Sequence, residues 1–448
     1  MNEYWNEALE TLPWKEVEAW QAEQIRDMLP ALRERSGMYR TLHAGLGAGT
    51  ALKSLADLAG LPFTMKDAVR GAQDQASDEE PFGANQATSL ASIVQVLSSS
   101  GTTGRPLYYA LTQRDLDVWC DAIANNFFTA GVRKNDVVAH LVGLPMVAGG
   151  LPYADGFRRI GATLCWLGGF PTDRILREMR RLRASALLAT TSFGLYLAGQ
   201  WEAVGRETGV PSALRTVLCG GEPGLNQPEI RDRIMRGLGI SQLREVMGLG
   251  DVLSAMWGEC EEHDGMHFNA QKHVAIELID PDTGDLVPWQ AGASGEIVYT
   301  TFAREATPLV RYRSRDHALV IGTDCRCGRT SPRIRCVGRT DDMLIYKGMN
   351  VFPTAIRDLV AQHFAGQVEP MLRLWKETAG QVRFDGPIPV EVEATPGLEA
   401  SRYAGLATAI GQHVRSQLQV RLDVTVVAPG TLPRSVYKNS LVAVRGVA

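Results

Sequence analysis

The sequence predicts an α/β protein: a large N-terminal domain built on mostly parallel sheet with a β subdomain, followed by a small α+β C-terminal domain. Three observations predict it. From about residue 135, short apolar runs alternate with helical patterns. Residues 272–320 change to short β-type runs separated by turns such as PDTG. After Gly338 a strand–helix–strand order returns. At 448 residues the chain is too long for one small core, so two or three domains are expected.

Taken in order, residues 1–45 read as helices, with Ile25, Met28, Leu29 and Leu32 at helical spacing. GLGAG (Gly45–Gly49) follows a helix rather than a strand and lacks a correctly placed third glycine, so it is no dinucleotide fingerprint. VVAHLV (Val137–Val142) reads as a buried strand, GFRRIGA as helix and TLCWL (Thr163–Leu167) as strand. Ile175, Met179 and Leu182 mark an amphipathic helix. ALLAT (Ala186–Thr190), a helix to about Arg206, and RTVLCG (Arg215–Gly220) continue the alternation. VAIELI, GEIVYT and HALVI supply the β subdomain, about 270–335. VEVEA, a helix carrying Leu406, Ile410 and Val414, and VTVVA complete the C-terminal part. The expected division is 1–340 and 341–448.

Apolar residues are 45% and charged ones 21%, the composition of an ordinary globular protein, with a net charge of −4. No basic excess exists to attract nucleic acid or an acidic membrane. The start MNEYWNEALETLPW is no signal peptide, and no apolar run is long enough to span a bilayer. Seven scattered cysteines are too few for a disulfide scaffold, so a cytoplasmic setting is expected.

SSSGTTGRP (Ser98–Pro106) combines glycines with five hydroxyls. Glycines let successive N–H groups point at one anion, and hydroxyls add donors, so the loop suits a polyphosphate. It is not a GxxxxGK[ST] loop. A solvated turn is the plainer alternative. GGEP (Gly220–Pro223) and VMGLGD (Val246–Asp251) end apolar runs in the α/β region, where ligands gather at strand C-termini. TPLVRYRSRD (Thr307–Asp316) follows a β run, GRTDDMLIYKGMNVFP (Gly338–Pro353) sits at the expected junction, and LPRSVYKNS (Leu432–Ser440) lies near the end.

With LPFTMKDAVR (Leu61–Arg70) and CGRT (Cys327–Thr330), these segments together resemble the adenylate-forming superfamily, and within it the phenylacetate-CoA ligase group. The resemblance covers essentially the whole chain. It implies ATP-dependent activation of a carboxylate to an acyl-adenylate, then transfer to a thiol, usually that of coenzyme A. Anion must attack anion, so catalysis is expected to be positioning and charge neutralisation.

The resemblance implies roles residue by residue. Ser99, Ser100, Gly101, Thr102, Thr103 and Gly104 would hold the β- and γ-phosphates, with Arg105 in place of the family's lysine. Gly221, Glu222 and Pro223 would line the adenine, near Met247, Gly248 and Leu249. Asp316 would accept from the ribose hydroxyls, with Arg339 nearby. Lys438 would bridge carboxylate and α-phosphate. Asp341 would be the pivot of a mobile C-terminal domain, whose rotation withdraws Lys438 and brings up Tyr346–Pro353. Two departures stand out: Met247 replaces an aromatic residue, and Asp251 replaces the glutamate expected to hold Mg²⁺. Aspartate is an acceptable hard ligand, one methylene shorter.

GLPMVAGGLPYADG (Gly143–Gly156) aligns with the family's glycine-rich acyl pocket. Leu144, Val147 and Asp155 replace aromatic positions, Tyr153 is added, Ala148 and Val246 line the same pocket, and Ala255 stands where proline is common. An aromatic acid of phenylacetate, benzoate or anthranilate type is expected. Asp155 either pairs with a ring substituent or caps the helix at GFRR. Cys260, His267, Cys325 and Cys327 form a set that structural zinc accepts, although C-x₆-H…C-x-C is no standard finger. Free buried thiols are the alternative, and Cys336 and His263 are candidate substitutes. Two other readings stay open: an adenylase loading a carrier-protein thiol, and a binding protein without turnover. A homodimer is compatible with either.

Overall fold

The computed structural model describes residues 3–45, 52–99, 107–142, 146–221, 224–225, 227–339, 342–347, 349–378, 380–433 and 441–445. Helices α1 (Glu7–Glu10), α2 (Trp14–Arg35) and α3 (Gly37–Leu42) open the chain. Ile25, Leu29 and Leu32 are buried, with Met28 half-buried beside them, as their spacing predicts. Of GLGAG only Gly45 is among the described residues. Next come α4 (Lys66–Gln73) and an antiparallel hairpin of β1 (Ile93–Ser99) and β2 (Leu107–Thr112). Helix α5 (Gln113–Thr129) starts at a capping box, in which Thr112 accepts from the Asp115 N–H and Asp115 accepts in return.

The alternating region follows: β3 (Val137–His140), α6 (Leu151–Ile160), β4 (Thr163–Trp166), α7 (Thr172–Arg181), β5 (Ala186–Thr190), α8 (Thr191–Ala198), α9 (Trp201–Thr208), β6 (Thr216–Gly220), α10 (Pro228–Leu238) and β7 (Gln242–Leu249). β3 stops two residues short of the expected strand, because its pairing with β4 and β5 ends at His140. The single helix expected to Arg206 is two helices broken at Gly199–Gln200. The β-rich stretch gives β8 (Leu253–Glu259), β9 (Met266–Phe268), β10 (Val274–Ile279), β11 (Ser294–Thr301), β12 (Tyr312–Gly322) and β13 (Arg333–Arg339).

All of these strands from β3 onward lie in one sheet of eleven, in the order β10-β11-β12-β13-β9-β8-β7-β6-β5-β3-β4. β4, β3, β5, β6 and β7 pair in parallel, and pairing from β7 outward through β8 is antiparallel. The β-rich stretch therefore continues the main sheet. The inner parallel strands β3, β5 and β6 read as nearly unbroken apolar runs because both faces are covered. Along β5, Ala186 and Leu188 join a core with α5 and α6, whereas Leu187 and Ala189 join a core with α7 to α10. Side chains alternate across a strand, so the two cores lie on opposite faces.

The C-terminal part contains β14 (Leu344–Tyr346), β15 (Met349–Val351), α11 (Pro353–His363), β16 (Val368–Lys376), β17 (Arg383–Phe384), β18 (Ile388–Ala394), α12 (Tyr403–Leu418), β19 (Leu422–Val427) and β20 (Val442–Val444). A four-stranded sheet runs β19-β18-β16-β20, and β15-β14-β17 form a smaller one. Leu406, Ile410 and Val414 are buried in a core drawn only from residues between Leu344 and Val426. This part touches the main sheet through Thr354, whose hydroxyl donates to the Val337 carbonyl at 2.8 Å, and through Phe352, whose ring lies 5.2 Å from that of His317. No helix among the described residues is long and apolar enough to cross a membrane.

Close helix packing gives a test in which two effects oppose. Helix propensity alone favours alanine over glycine at position 237 by about 1 kcal/mol. A Cβ there would stand 2.7 Å from the Ala198 Cβ and 2.8 Å from the Ala198 carbonyl oxygen. Overpacking against backbone costs about 1–3 kcal/mol, so Gly237→Ala should lower the melting temperature. A rise would mean that α8 and α10 separate freely.

Candidate active site

The site forms where the strand ends, the β1–β2 hairpin and the segment before α6 meet. Ser98, near the end of β1, donates its N–H to the Met146 carbonyl at 2.7 Å and bridges Val147 in parallel. The β1–β2 hairpin is thereby hydrogen-bonded to the segment before α6. Ala148 of that segment is buried, and a Cβ on Gly250 would lie 3.2 Å from its Cβ. Gly250 belongs to the β7–β8 turn, which also holds Asp251. Gly248, near the end of β7, must be glycine, since a Cβ would fall 2.1 Å from the Ser254 carbonyl oxygen.

Val246 and Ala255 are buried on β7 and β8, and Met247 and Leu249 are half-buried on β7. Tyr153, on α6, donates its hydroxyl to the Ser254 carbonyl at 2.5 Å and packs edge-on against Phe127. Gly221 follows β6 with φ of 78°, which favours glycine. Asp316 and Arg339 are cross-strand partners on β12 and β13, joined by an ion pair of 2.8 Å. Asp155 does not cap the helix: it sits inside α6, whose N-cap is Gly150, and pairs with Arg158 at 2.9 Å. Ser100, Gly101, Thr102, Thr103, Gly104, Arg105, Leu144, Glu222, Pro223, Asp341 and Lys438 lie outside the described residues.

Asp251 is the buried charge at the centre. Its Oδ2 accepts from the Tyr312 hydroxyl at 2.5 Å and meets the Lys66 ammonium at 2.9 Å. Arg304 donates to the Asp251 carbonyl at 2.7 Å. Burial works to raise the carboxyl pKa, but the Lys66 charge and the bonds from Tyr312 and Lys66 outweigh it and hold the group below its usual value. Tyr109 and Tyr312 are pushed well above the ordinary phenol range, first by burial and then by the Asp251 charge. Oδ1 of Asp251 is buried without a well-formed hydrogen bond, although the Tyr109 hydroxyl faces the carboxylate closely enough to help lower its pKa. A buried carboxylate oxygen so placed is a fitting ligand for Mg²⁺.

Lys66, Tyr109 and Tyr312 are the site residues that sequence reasoning left unassigned. Lys66 begins α4, and its ammonium also lies 3.4 Å from the Ser99 hydroxyl. Its only sequence signal was membership of LPFTMKDAVR, and no spacing rule links that segment to Asp251.

At the other end of β8 the four zinc candidates do come together. Cys260, His267, Cys325 and Cys327 offer ligand atoms that all lie within 4.8 Å of one another. Zinc with bonds of about 2.3 Å sets its sulfurs about 3.8 Å apart, and Cys260 Sγ lies 3.8 Å from Cys325 Sγ. Cys327 Sγ is 3.4 Å from His267 Nε2, and the Ser331 hydroxyl stands 3.5 Å from the other ring nitrogen. The donor set therefore fits a tetrahedral cation. His263 instead faces Arg231, Arg244 and Glu259. Cys336 stands apart on β13, its thiol pushed up to about 12, chiefly by burial. A seven-residue strand separates this cluster from Asp251, roughly 25 Å at the rise of an extended chain.

A family profile described as "AMP-binding enzyme" matches residues 41–301, and one described as "AMP-binding enzyme C-terminal domain" matches residues 348–444. The chain belongs to the AMP-binding enzyme family. It is an adenylate-forming, phenylacetate-CoA ligase-like enzyme. This AMP-binding enzyme is 32% identical over 445 residues to phenylacetate-coenzyme A ligase of Thermus thermophilus, covering 95% of this chain and 96% of the relative. It is 31% identical to that of Pseudomonas putida, covering 95% and 94%. Its fold matches 2-hydroxyisobutyryl-CoA ligase in the postadenylation state with 2-HIB-AMP, at a TM-score of 0.87 and 25% identity over 99% of this chain and 93% of that one. The same ligase in the thioesterification state with CoA matches at 0.70, with 26% identity over 99% and 92%. The arrangement of this chain is thus the more similar to the postadenylation state.

The Asp251 ion pair yields a pH test. A carboxyl held low in the native state contributes stability that is present above its unfolded value, about 3.9, and lost as pH falls through the native value. In Lys66→Met, burial prevails and the native value rises, so the sign reverses. The melting temperature of the variant relative to the parent should then fall as pH is raised from about 4 to 7. A difference that stays constant with pH would show that Lys66 does not set the charge state of Asp251.

Proposed function

We propose that this AMP-binding enzyme activates an aromatic carboxylic acid with ATP and transfers the acyl group to coenzyme A. The carboxylate oxygen attacks the α-phosphorus and pyrophosphate leaves; the thiol sulfur then attacks the acyl carbonyl, losing its proton, and AMP leaves. The observation that carries the reading is the meeting of two segments at one buried carboxylate. The hairpin that leads into the phosphate loop and the acyl segment are joined by the Ser98–Met146 hydrogen bond, and both border Asp251.

In this reading the backbone and hydroxyls of Ser99–Gly104 hold the β- and γ-phosphates, and Gly221, Glu222 and Pro223 face the adenine with Met247 and Leu249. Asp316 accepts from the ribose hydroxyls and is held in orientation by Arg339. Asp251 Oδ1 would hold Mg²⁺, which when bound neutralises phosphate charge. Lys66 keeps Asp251 ionised. Lys438 supplies the positive charge between carboxylate and α-phosphate, and Asp341 is the pivot between the two half-reactions. An aromatic acid is supported by likeness to relatives named phenylacetate-coenzyme A ligase. Leu144, Val147, Ala148, Tyr153, Val246 and Ala255 would line its pocket. The test is pyrophosphate release across a panel of aromatic acids, with detection of the CoA thioester. No acid-dependent release would overturn the reading, and release without a soluble thioester would redirect it to a carrier-protein thiol.

Lys438→Ala should abolish acid-dependent pyrophosphate exchange while thioester formation from supplied acyl-AMP changes little, because the charge is needed only where two anions meet. Equal loss in both half-reactions, followed by rapid quench, would remove Lys438 from that role.

We also propose that Cys260, His267, Cys325 and Cys327 bind structural zinc, which would tie the β12–β13 loop to the end of β8. Four protein ligands leave no open position, so the metal would do no chemistry. Purified protein should carry about one equivalent. Cys325→Ser should lose it and melt earlier, since metal binding energy is partly folding energy. Metal analysis showing none, in protein never exposed to chelator, would return the four residues to ordinary packing.

A further inference from the structure

The segment that carries Lys438 leaves the four-stranded sheet after β19 and returns as β20. Residues 434–440 lie outside the described residues, but both ends of the excursion are described. The returning end is pinned by strand pairing. β20 runs parallel to β16, with Leu374, Trp375 and Lys376 opposite Val442, Ala443 and Val444. The Leu374 N–H donates to the Leu441 carbonyl, and the Arg445 N–H to that of Lys376, each at 2.8 Å.

The departing end has no strand to hold it. Its anchor is the side chain of Glu393 on β18, which is 0% exposed. Oε1 accepts from the Gly430 N–H at 2.9 Å and Oε2 from the Leu432 N–H at 3.0 Å. The Thr431 N–H meanwhile donates to the Ala428 carbonyl, closing a turn between them. A carboxylate with a separate amide donor on each oxygen is fixed in both position and plane. Glu393 sits opposite Val427, the last residue of β19, so the carboxylate acts at the point where the chain leaves the sheet.

We propose that Glu393 is a positioning residue for Lys438. Its buried carboxylate fixes residues 430–432, so that the lysine-bearing segment is tethered at both ends to neighbouring strands of one sheet. Anchoring the flanks of a catalytic segment in advance is how a remote group contributes to a geometry-limited step. The proposal rests on the reading of Lys438 as the charge between carboxylate and α-phosphate. Glu393 itself touches neither the substrates nor the reacting atoms.

The experiment compares Glu393→Gln, Glu393→Asp, Lys438→Ala and the Glu393→Gln/Lys438→Ala double variant in the full chain. Two half-reactions are measured with whichever acid gives the fastest pyrophosphate release: acid-dependent pyrophosphate exchange, and thioester formation from supplied acyl-AMP and CoA. Glutamine keeps the size but turns an NH₂ toward one of the two N–H donors. Exchange in Glu393→Gln should fall about 10- to 100-fold, the scale of a small misplacement, while thioester formation stays within about twofold by the same argument. Exchange in Glu393→Asp should lie between that of Glu393→Gln and the parent. The double variant should exchange no more slowly than Lys438→Ala alone, because Glu393 acts through the lysine. Unchanged exchange in Glu393→Gln beside an inactive Lys438→Ala overturns the proposal and leaves the Lys438 reading standing. Equal loss in both half-reactions, or a further loss in the double variant, overturns it as well. Normal exchange in Lys438→Ala overturns the reading itself and the proposal with it.

Discussion

A buried carboxylate must be compensated, and in this protein the compensation of Asp251 holds the site together. An uncompensated ion inside a protein costs several kcal/mol. The partners that offset this come from distant parts of the chain: Lys66 from α4 and Tyr312 from β12, with Arg304 gripping the backbone of the same residue. Satisfying one charge therefore fastens the N-terminal helical region to the sheet. The same contacts fix the turn between β7 and β8. Because Lys66 also approaches Ser99, the compensation extends to the β1–β2 hairpin.

The sheet explains why the turn lies where it does. β6 and β7 are the last parallel neighbours, and β8 reverses direction. At that reversal the strands end in glycine-rich segments, since Gly220 and Gly248 approach other backbone more closely than any Cβ permits. Such close approach leaves no room for a side chain at either glycine. The zinc-type cluster stands at the opposite end of β8, so the same strand carries two separate demands. One end needs an ionised carboxylate, the other a compact knot of thiols.

A second constraint governs the C-terminal part. Its core is its own, and among the described residues it meets the rest of the protein at Phe352 and Thr354 and through the Arg233–Glu369 ion pair. A Cβ on Gly338 would lie 2.8 Å from the Phe352 ring, so the junction is closely packed.

The sequence by itself determined the element types, the α/β class and the family, because periodicity and motif order are local properties of the chain. ALLAT and TVLCG could be read as buried strands, and Leu406, Ile410 and Val414 as one face of a helix. The family resemblance also named Asp251, Asp316 and Arg339, and the donor types of Cys260, His267, Cys325 and Cys327 marked them as a set that zinc accepts. What only the tertiary structure decided were the partnerships. That Lys66 neutralises Asp251, that Ser98 joins the acyl segment, that Asp155 pairs with Arg158 inside α6, and that the β-rich stretch continues the main sheet all depend on pairing between segments remote in sequence. A side chain's type limits the chemistry it can do. Which charge or carbonyl it faces is set by how strands stack, and no local pattern encodes that.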